Sequence, residues 1–574
     1  MSRKAEEGTV PVDRCDERRP ACTQCLRLKI SCGGYGARLQ FRNVKFDKAA
    51  KVPQRNVWKK PSSHPDRPCA PLWFENAPRA DIHTGAVVSD ECKTQACIAT
   101  HPSVAPWQNQ QIYSLGLRLF YLSAWDRLCG PALAPAFKQL RDRGRLSSVM
   151  TDTMMAFAAY HLSCTRPPQI RTAAHSGQAS EHLLNSLEFF GSAMRQIAKS
   201  SPAEYMADPI TLLSVLILFC YLESARGHFT EFSFHSRAIQ EIVTRTAVQP
   251  LMEMDGVHGA RLLSAYAQTR MHNWWLKVIF SDPETLESQD ISFEPEMRSH
   301  LNIATNRRTF VLSVLCQSYR ISLMAIIRQA KRSPRANLAD DCVLQAYYDS
   351  IQVQQQVATD WHALVAVHDL PIEGYEDGQL ASGPDTLSLN VKPVHFNSHT
   401  AAMNYAYYVT ARVIQCSGVY GSPVLEPHFL PKADMTTTRF WAELLLRIAA
   451  GLDWERCLLL NRHTIGISSL LVACALRCPE LDISLWIEDW LGRRCAKSER
   501  VHEGSVLLER ALQMMQLINR KRLIGRDALA ICYMDADRVD KSHAGTAVLA
   551  YCRIRATGAI AYRRIPLSSK ERRQ

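Results

Sequence analysis

The chain of 574 residues is longer than one ordinary domain, and 47% hydrophobic residues are enough to build a large core. Its net charge of +13 lies at the two ends of the sequence. Residues 1–60 hold 15 Lys and Arg against 6 Asp and Glu, residues 553–574 hold 7 against 1, and residues 61–552 carry −2. This distribution excludes a uniformly basic protein and is typical of a nucleic-acid-binding module attached to a nearly neutral body, because clustered cations bind phosphates.

Four cysteines, Cys15, Cys22, Cys25 and Cys32, fall within 18 residues of a chain that has 19 in total, where chance would place about 0.6. Four thiolates can close a tetrahedral Zn²⁺ site, because zinc accepts four soft, charged donors. Disulfides are the alternative, but they need an oxidising compartment, and residues 1–14 contain no apolar signal segment. The segment also has few large apolar residues with which to bury four cysteines. The spacing therefore predicts a zinc site.

Basic side chains surround and follow these cysteines. They would help to keep the thiols deprotonated and would leave a positive surface on a very small unit. Such a surface suits contacts with DNA phosphates, and the same basic track could act as a nuclear-import signal. The candidate DNA-binding residues are Arg14, Arg18, Arg19, Arg27, Lys29, Arg38 and Arg42.

The segment CDERRPACTQCLRLKISCGGYGARLQF, which begins at Cys15, resembles the second half of the DNA-binding domain of the fungal zinc binuclear cluster (Zn₂Cys₆) transcription factors. Its four cysteines match the third to sixth of the family's six, and Asp16, Pro20 and the glycines around Tyr35 also look like that family. The resemblance implies a nuclear, sequence-specific regulator of RNA polymerase II transcription with zinc as its cofactor. The implied partners are double-stranded DNA with CGG-type sites and the transcription machinery or co-regulators. Regulation of a specialised-metabolite gene cluster is common in the family.

Residues 1–14 contain no cysteine, so the counterparts of the family's first two ligands and of the basic hexapeptide that reads CGG are missing. Four thiolates could still hold one zinc. Two explanations are open: an upstream exon encodes the missing half, or the protein has lost it. We expect the first, because Arg14 leads straight into Cys15-Asp-Glu as in the family. The second predicts a co-regulator that docks on other proteins without touching DNA. An enzyme comes third, because the sequence has no phosphate-loop, metalloprotease, hydrolase or dinucleotide motif.

Residues 36–110 predict a basic linker, because eight prolines interrupt any apolar period. No heptad pattern is sustained there, so the sequence predicts no coiled coil and leaves open whether the protein forms a homodimer. Residues 111–525 show apolar residues at three- and four-residue intervals, which predicts a large helical domain. Its layout resembles the family's regulatory domain. The predicted helices are 117–128, 147–163, 180–199, 210–226, 229–245, 260–280, 308–331, 338–367, 399–415, 437–450, 454–476 and 501–522.

The predicted fold class is all-α, with a zinc-cysteine module in residues 1–35 and no sheet, because no long segment alternates with period two. The most apolar run, 212–222, is shorter than the roughly 20 residues of a membrane span, so it predicts a buried core helix and no membrane association. Cys474, Cys478, Trp274 and Trp275 are expected in the core or, for the tryptophans, in the wall of an effector groove. Residues 526–574 predict a basic tail without regular structure.

Overall fold

The computed structural model covers the helical body and the C-terminal region. The residues that the structure describes are 106–130, 133, 135–137, 147–164, 173–201, 204, 207–226, 228–246, 256–280, 306–331, 338–372, 389–417, 435–496, 502–504, 506–533 and 546–567. The predicted zinc module in residues 1–35 and nearly all of the predicted linker lie outside these residues.

The described part of the chain is 78% helix, so the prediction of a largely helical body is confirmed. The 14 helices are α1 (Pro106–Ala124), α2 (Ser148–Cys164), α3 (Ala173–Lys199), α4 (Pro209–Arg226), α5 (Phe229–Thr246), α6 (Gly256–Phe280), α7 (Arg307–Lys331), α8 (Leu338–Ala363), α9 (His399–Cys416), α10 (Met435–Gly451), α11 (Trp454–Leu460), α12 (Ile467–Ala475), α13 (Leu481–Cys495) and α14 (Leu508–Leu523). A π-helical turn, Trp125–Cys129, extends α1, and short 3-10 turns lie at Pro135–Phe137 and Val367–Asp369.

One hydrophobic core joins residues from α1 to the C-terminal strands. Helices α4 and α7 are long and apolar enough to cross a membrane by composition, but 78% of the most apolar window of each is buried inside the body. Phe219, in the middle of α4, is fully buried, so the prediction that 212–222 forms a core helix is confirmed. Trp274, Trp275, Cys474 and Cys478 are also buried, as core residues should be.

The predicted helix 454–476 is wrong as a single element, because it is split into α11 and α12. Asp453 caps the start of α11, where its carboxylate accepts hydrogen bonds from the Glu455 and Arg456 amides. Between the two helices, the buried Asn461 side chain donates to Glu503 Oε1 at 2.6 Å. Helical periodicity cannot reveal this break, since the partner of Asn461 lies 42 residues further along the chain.

Glu503 lies in a short antiparallel hairpin of β1 (His502–Glu503) and β2 (Val506–Leu507), with Gly504 at a φ of 67° in the turn. Its fully buried carboxylate also accepts the Ile467 amide at 2.9 Å, the Ser468 amide at 3.0 Å and the Ser468 hydroxyl at 2.6 Å. These donors form the first turn of α12, so a distant hairpin supplies the N-terminal cap of this helix.

The expectation of no sheet and of an irregular tail after residue 525 is wrong. Strands β3 (Arg526–Tyr533), β4 (Thr546–Ile554) and β5 (Ile560–Leu567) form an antiparallel sheet in the order β3-β4-β5. Strand β4 buries consecutive residues such as Ala550, Tyr551 and Cys552, so both faces of its centre are covered and its sequence does not alternate. A register shift between Ala528 and Ala530 further interrupts the pattern.

Candidate functional site: a tryptophan groove

The sequence-predicted site residues cannot be placed in the structure. Cys15, Cys22, Cys25 and Cys32 lie outside the described residues, as do the basic residues from Arg14 to Arg42. Within the described part of the chain, no group of three or more His, Cys, Asp and Glu side chains could hold a metal ion.

An open groove of about 1030 Å³ lies between α13 and the start of α11. Three tryptophans dominate it, together with two arginines and one aspartate. The full lining is Leu389, Val391, Ala450, Trp454, Leu485, Trp486, Asp489, Trp490, Arg493, Arg494 and Ala496. A concave apolar site with a few polar groups is the usual form of a ligand pocket.

Helix α13 supplies the floor of this groove through positions four residues apart. Trp486, Trp490 and Arg494 share one helical face because residues i, i+4 and i+8 stack along a helix. The rings of Trp486 and Trp490 are nearly parallel, with centroids 6.4 Å apart. The Arg494 guanidinium lies 3.4 Å from the Trp490 ring centroid and continues the stack. These three side chains therefore form one continuous stack along the floor of the groove.

Trp454 packs against the side of this stack. Its ring stands at 88° to Trp490 with centroids 5.6 Å apart, and the Arg494 guanidinium lies 5.2 Å from its centre. Trp490 is 2% exposed, whereas Trp454 and Trp486 are only half-buried and present ring surface to the groove. A flat apolar ligand could therefore replace water on these two faces.

Arg494 is the polar group that the groove offers to a ligand. Its Nη1 donates to the Trp490 carbonyl at 3.1 Å, while its buried Nε has no hydrogen-bond partner among the described residues. Burial lowers the pKa of this guanidinium to about 10. The neighbouring cation Arg493 is already paired with Asp489 at 2.8 Å. Arg494 is thus charged at neutral pH and able to bind an oxygen of an incoming ligand.

Two other polar clusters in the body are structural. Asp152 is almost fully buried and accepts hydrogen bonds from Arg118, Ser192 and Gln196, which ties α2 to α1 and α3. His161 accepts from Arg462 at 2.9 Å, deep between α2 and the loop that precedes α12. Both clusters join separate elements of the body and stabilise their packing.

Helix α13 lies outside all of the helices predicted from the sequence, so this site was not predicted. The segment LWIEDWLGRR carries the signal, because Trp486, Trp490 and Arg494 recur at intervals of four. No family model, curated protein or solved structure matches this chain.

Proposed function

We propose that this protein is a nuclear, sequence-specific DNA-binding transcription factor that regulates RNA polymerase II transcription. The observation that carries the proposal is the spacing of Cys15, Cys22, Cys25 and Cys32. In this proposal the four thiolates bind Zn²⁺, and Arg27 and Lys29 contact phosphates between the last two ligands. The pathway we favour is a specialised-metabolite gene cluster, which follows from the resemblance to the fungal zinc binuclear cluster family.

The tryptophan groove fits this proposal as an effector site. A regulator needs a body that senses a signal as well as a module that binds DNA, and ligands act by favouring one conformation over another. The stacked rings of Trp454 and Trp486 suit a flat apolar compound, and Arg494 suits a carboxylate or carbonyl oxygen on it. We infer that the effector is a planar, apolar acid or ketone.

The second candidate is a co-regulator that docks on other proteins without touching DNA. The observation that favours it is the absence of cysteine from residues 1–14, since the family reads bases with the half of the cluster that this stretch does not supply. The two candidates share the helical body and differ in DNA affinity, so a DNA-binding measurement separates them.

The test compares zinc content and DNA binding of the full chain, a Cys22→Ser variant and a Cys342→Ser control. Cys342 is exposed on α8, so its replacement should change neither property. We expect elemental analysis to find zinc in the wild type and the control. Both should shift a CGG-containing duplex in a gel once the chain is extended upstream by the half of the cluster that reads CGG. Cys22→Ser should lose both, because zinc binding supplies the folding free energy of such a module.

Wild-type protein without bound metal would overturn the zinc module. Zinc-loaded protein that shifts no duplex would favour the co-regulator. Cys22→Ser protein with wild-type zinc content and DNA affinity would contradict the assignment of the ligands.

A further inference from the structure

The C-terminal sheet gathers positive side chains around a floor of small residues. The cavity between α14 and the sheet is lined by Lys521 at the end of α14, Arg526 at the start of β3 and Arg563 on β5. Its floor holds Ala550 and Cys552 of β4, both buried. Burial raises the pKa of Cys552, while the charges of Lys521 and Arg526 act in the opposite direction, as expected for cations close to the floor.

These cations have no acidic partner in the part of the chain that the structure describes. Lys521, Arg526 and Arg563 form no ion pair there, although a neighbour on the same sheet does. Arg555 binds Asp527 through two nitrogens, with an Nη2 to Oδ1 distance of 2.7 Å. Because Arg555 already neutralises this carboxylate of β3, the remaining positive charge of the cavity is not balanced locally.

Strand β5 leaves its side chains open to the surface. Arg563 and Arg564 are both exposed and point to opposite faces of the strand, and Tyr562, which precedes them and shares the face of Arg564, is 56% exposed. The Tyr562 ring packs on Tyr551 of β4 with centroids 5.5 Å apart, which holds one of its faces in place. The strand therefore presents one exposed arginine on each face at the edge of the sheet, and Arg563 points toward the cavity.

The spacing of the charges suits a polyanion better than a single carboxylate. Arg526 and Arg563 lie on the two outer strands, whose backbones are about 10 Å apart across β4. Duplex DNA carries one negative charge per about 1.7 Å of its axis, so a face of this width meets several phosphates at once. An acidic peptide has no such regular charge density, and a small anion would leave most of these cations without a partner.

We propose that this face, formed by Lys521, Arg526 and Arg563, binds the phosphate backbone of double-stranded DNA without reading its sequence. The inference rests on the proposed function, to which it adds a second contact far along the chain from the zinc module. A sequence-independent contact would hold the regulator on DNA while the module searches for its site. It also gives a role to the excess positive charge of residues 553–574, which hold 7 Lys and Arg against 1 Asp or Glu.

The test measures binding of the full chain to a fluorescent random-sequence duplex by anisotropy over a range of salt concentrations. The test variant carries Lys521→Gln and Arg563→Gln, and the matched control carries Arg195→Gln and Arg261→Gln on exposed positions of α3 and α6. We expect the slope of log Kobs against log salt to become shallower by about 1.8 in the test variant, since each phosphate contact contributes about 0.9. The control should keep the wild-type slope.

A test variant with the slope of the control would overturn the inference, because Lys521 and Arg563 would then make no phosphate contact. A slope change with single-stranded RNA but none with duplex DNA would also overturn it. The proposed function fails separately: upstream-extended protein that binds the random duplex but shows no preference for CGG duplexes would reject sequence-specific regulation alone. A shallower slope in the test variant, together with an intact preference for CGG duplexes, supports both the phosphate contact and the proposed function.

Discussion

Replacement of Glu503 by Gln tests whether a distant carboxylate holds the loop and helix that follow α11. Glu503 Oε1 accepts from Asn461 and the Ile467 amide, and Oε2 accepts from the amide and hydroxyl of Ser468. A glutamine amide would turn one NH₂ group toward two of these donors in either orientation. The Ser468 hydroxyl alone can rotate to accept from this NH₂ group, so Glu503→Gln loses one or two hydrogen bonds at the N-terminal end of a buried helix.

The magnitude follows from two opposing contributions. Hydrogen bonds to a charged group contribute about 1.5–3 kcal/mol each, so the loss of one or two bonds costs about 2–4 kcal/mol. Burial raises the pKa of Glu503, which shows that the charge is itself costly, and the neutral amide avoids part of that cost. We expect a net loss of about 2 kcal/mol.

The assay is urea unfolding of the full chain followed by far-UV circular dichroism, with Glu509→Gln as control. Glu509 is exposed on α14, so its replacement should leave the midpoint unchanged. Glu503→Gln should unfold at a clearly lower urea concentration. A variant as stable as the wild type, or more stable, would show that the burial cost outweighs the hydrogen bonds and would refute the reasoning.

Three further predictions concern the same body. Gly466→Ala should lower the unfolding midpoint, because its Cβ would collide with the Glu503 carboxylate, whereas Gly492→Ala on α13 meets open space and should leave the midpoint unchanged or raise it slightly. The pKa of His161 is lowered to about 4 by burial and by Arg462. Stability should therefore fall as the pH drops from about 6.5 toward 4, by up to about 3 kcal/mol, and His161→Gln should flatten this dependence in pH-dependent thermal unfolding. The apolar sulfonate dye anilinonaphthalene sulfonate should gain fluorescence with wild-type protein and lose most of that gain in Trp486→Ala. Phe440→Ala, a control at an exposed aromatic on α10, should keep the gain, and equal losses in both variants would reject the groove as the binding site.

Local periodicity was enough to predict most of the helices. Helices α4 and α7 repeat apolar residues at intervals of three and four over 18 and 25 residues, so their helical structure can be predicted without knowing what they pack against. The prediction of one helix over 454–476 was wrong because Asn461 finds its partners in Glu503 and His399 rather than in its own helix. A side chain that binds across the fold leaves no trace in a window of neighbouring residues.

The two candidate sites also differ in whether the sequence alone could predict them. The zinc ligands are close in sequence, so their spacing alone yields the prediction of a metal site, which stays a prediction because Cys15 to Cys32 lie outside the described residues. The tryptophan groove joins α11 to α13, and only the fold brings Trp454 beside Trp490.

The sequence by itself determined a largely helical body, its buried apolar segments, and the clustering of sulfur and positive charge near the front of the chain, because each depends on residues that are neighbours in sequence. Tertiary structure alone decided that the C-terminal segment forms a sheet. Strand β4 is covered on both faces and pairs on both edges, so its stability comes from contacts with β3, β5 and the helical body rather than from alternation within its own sequence.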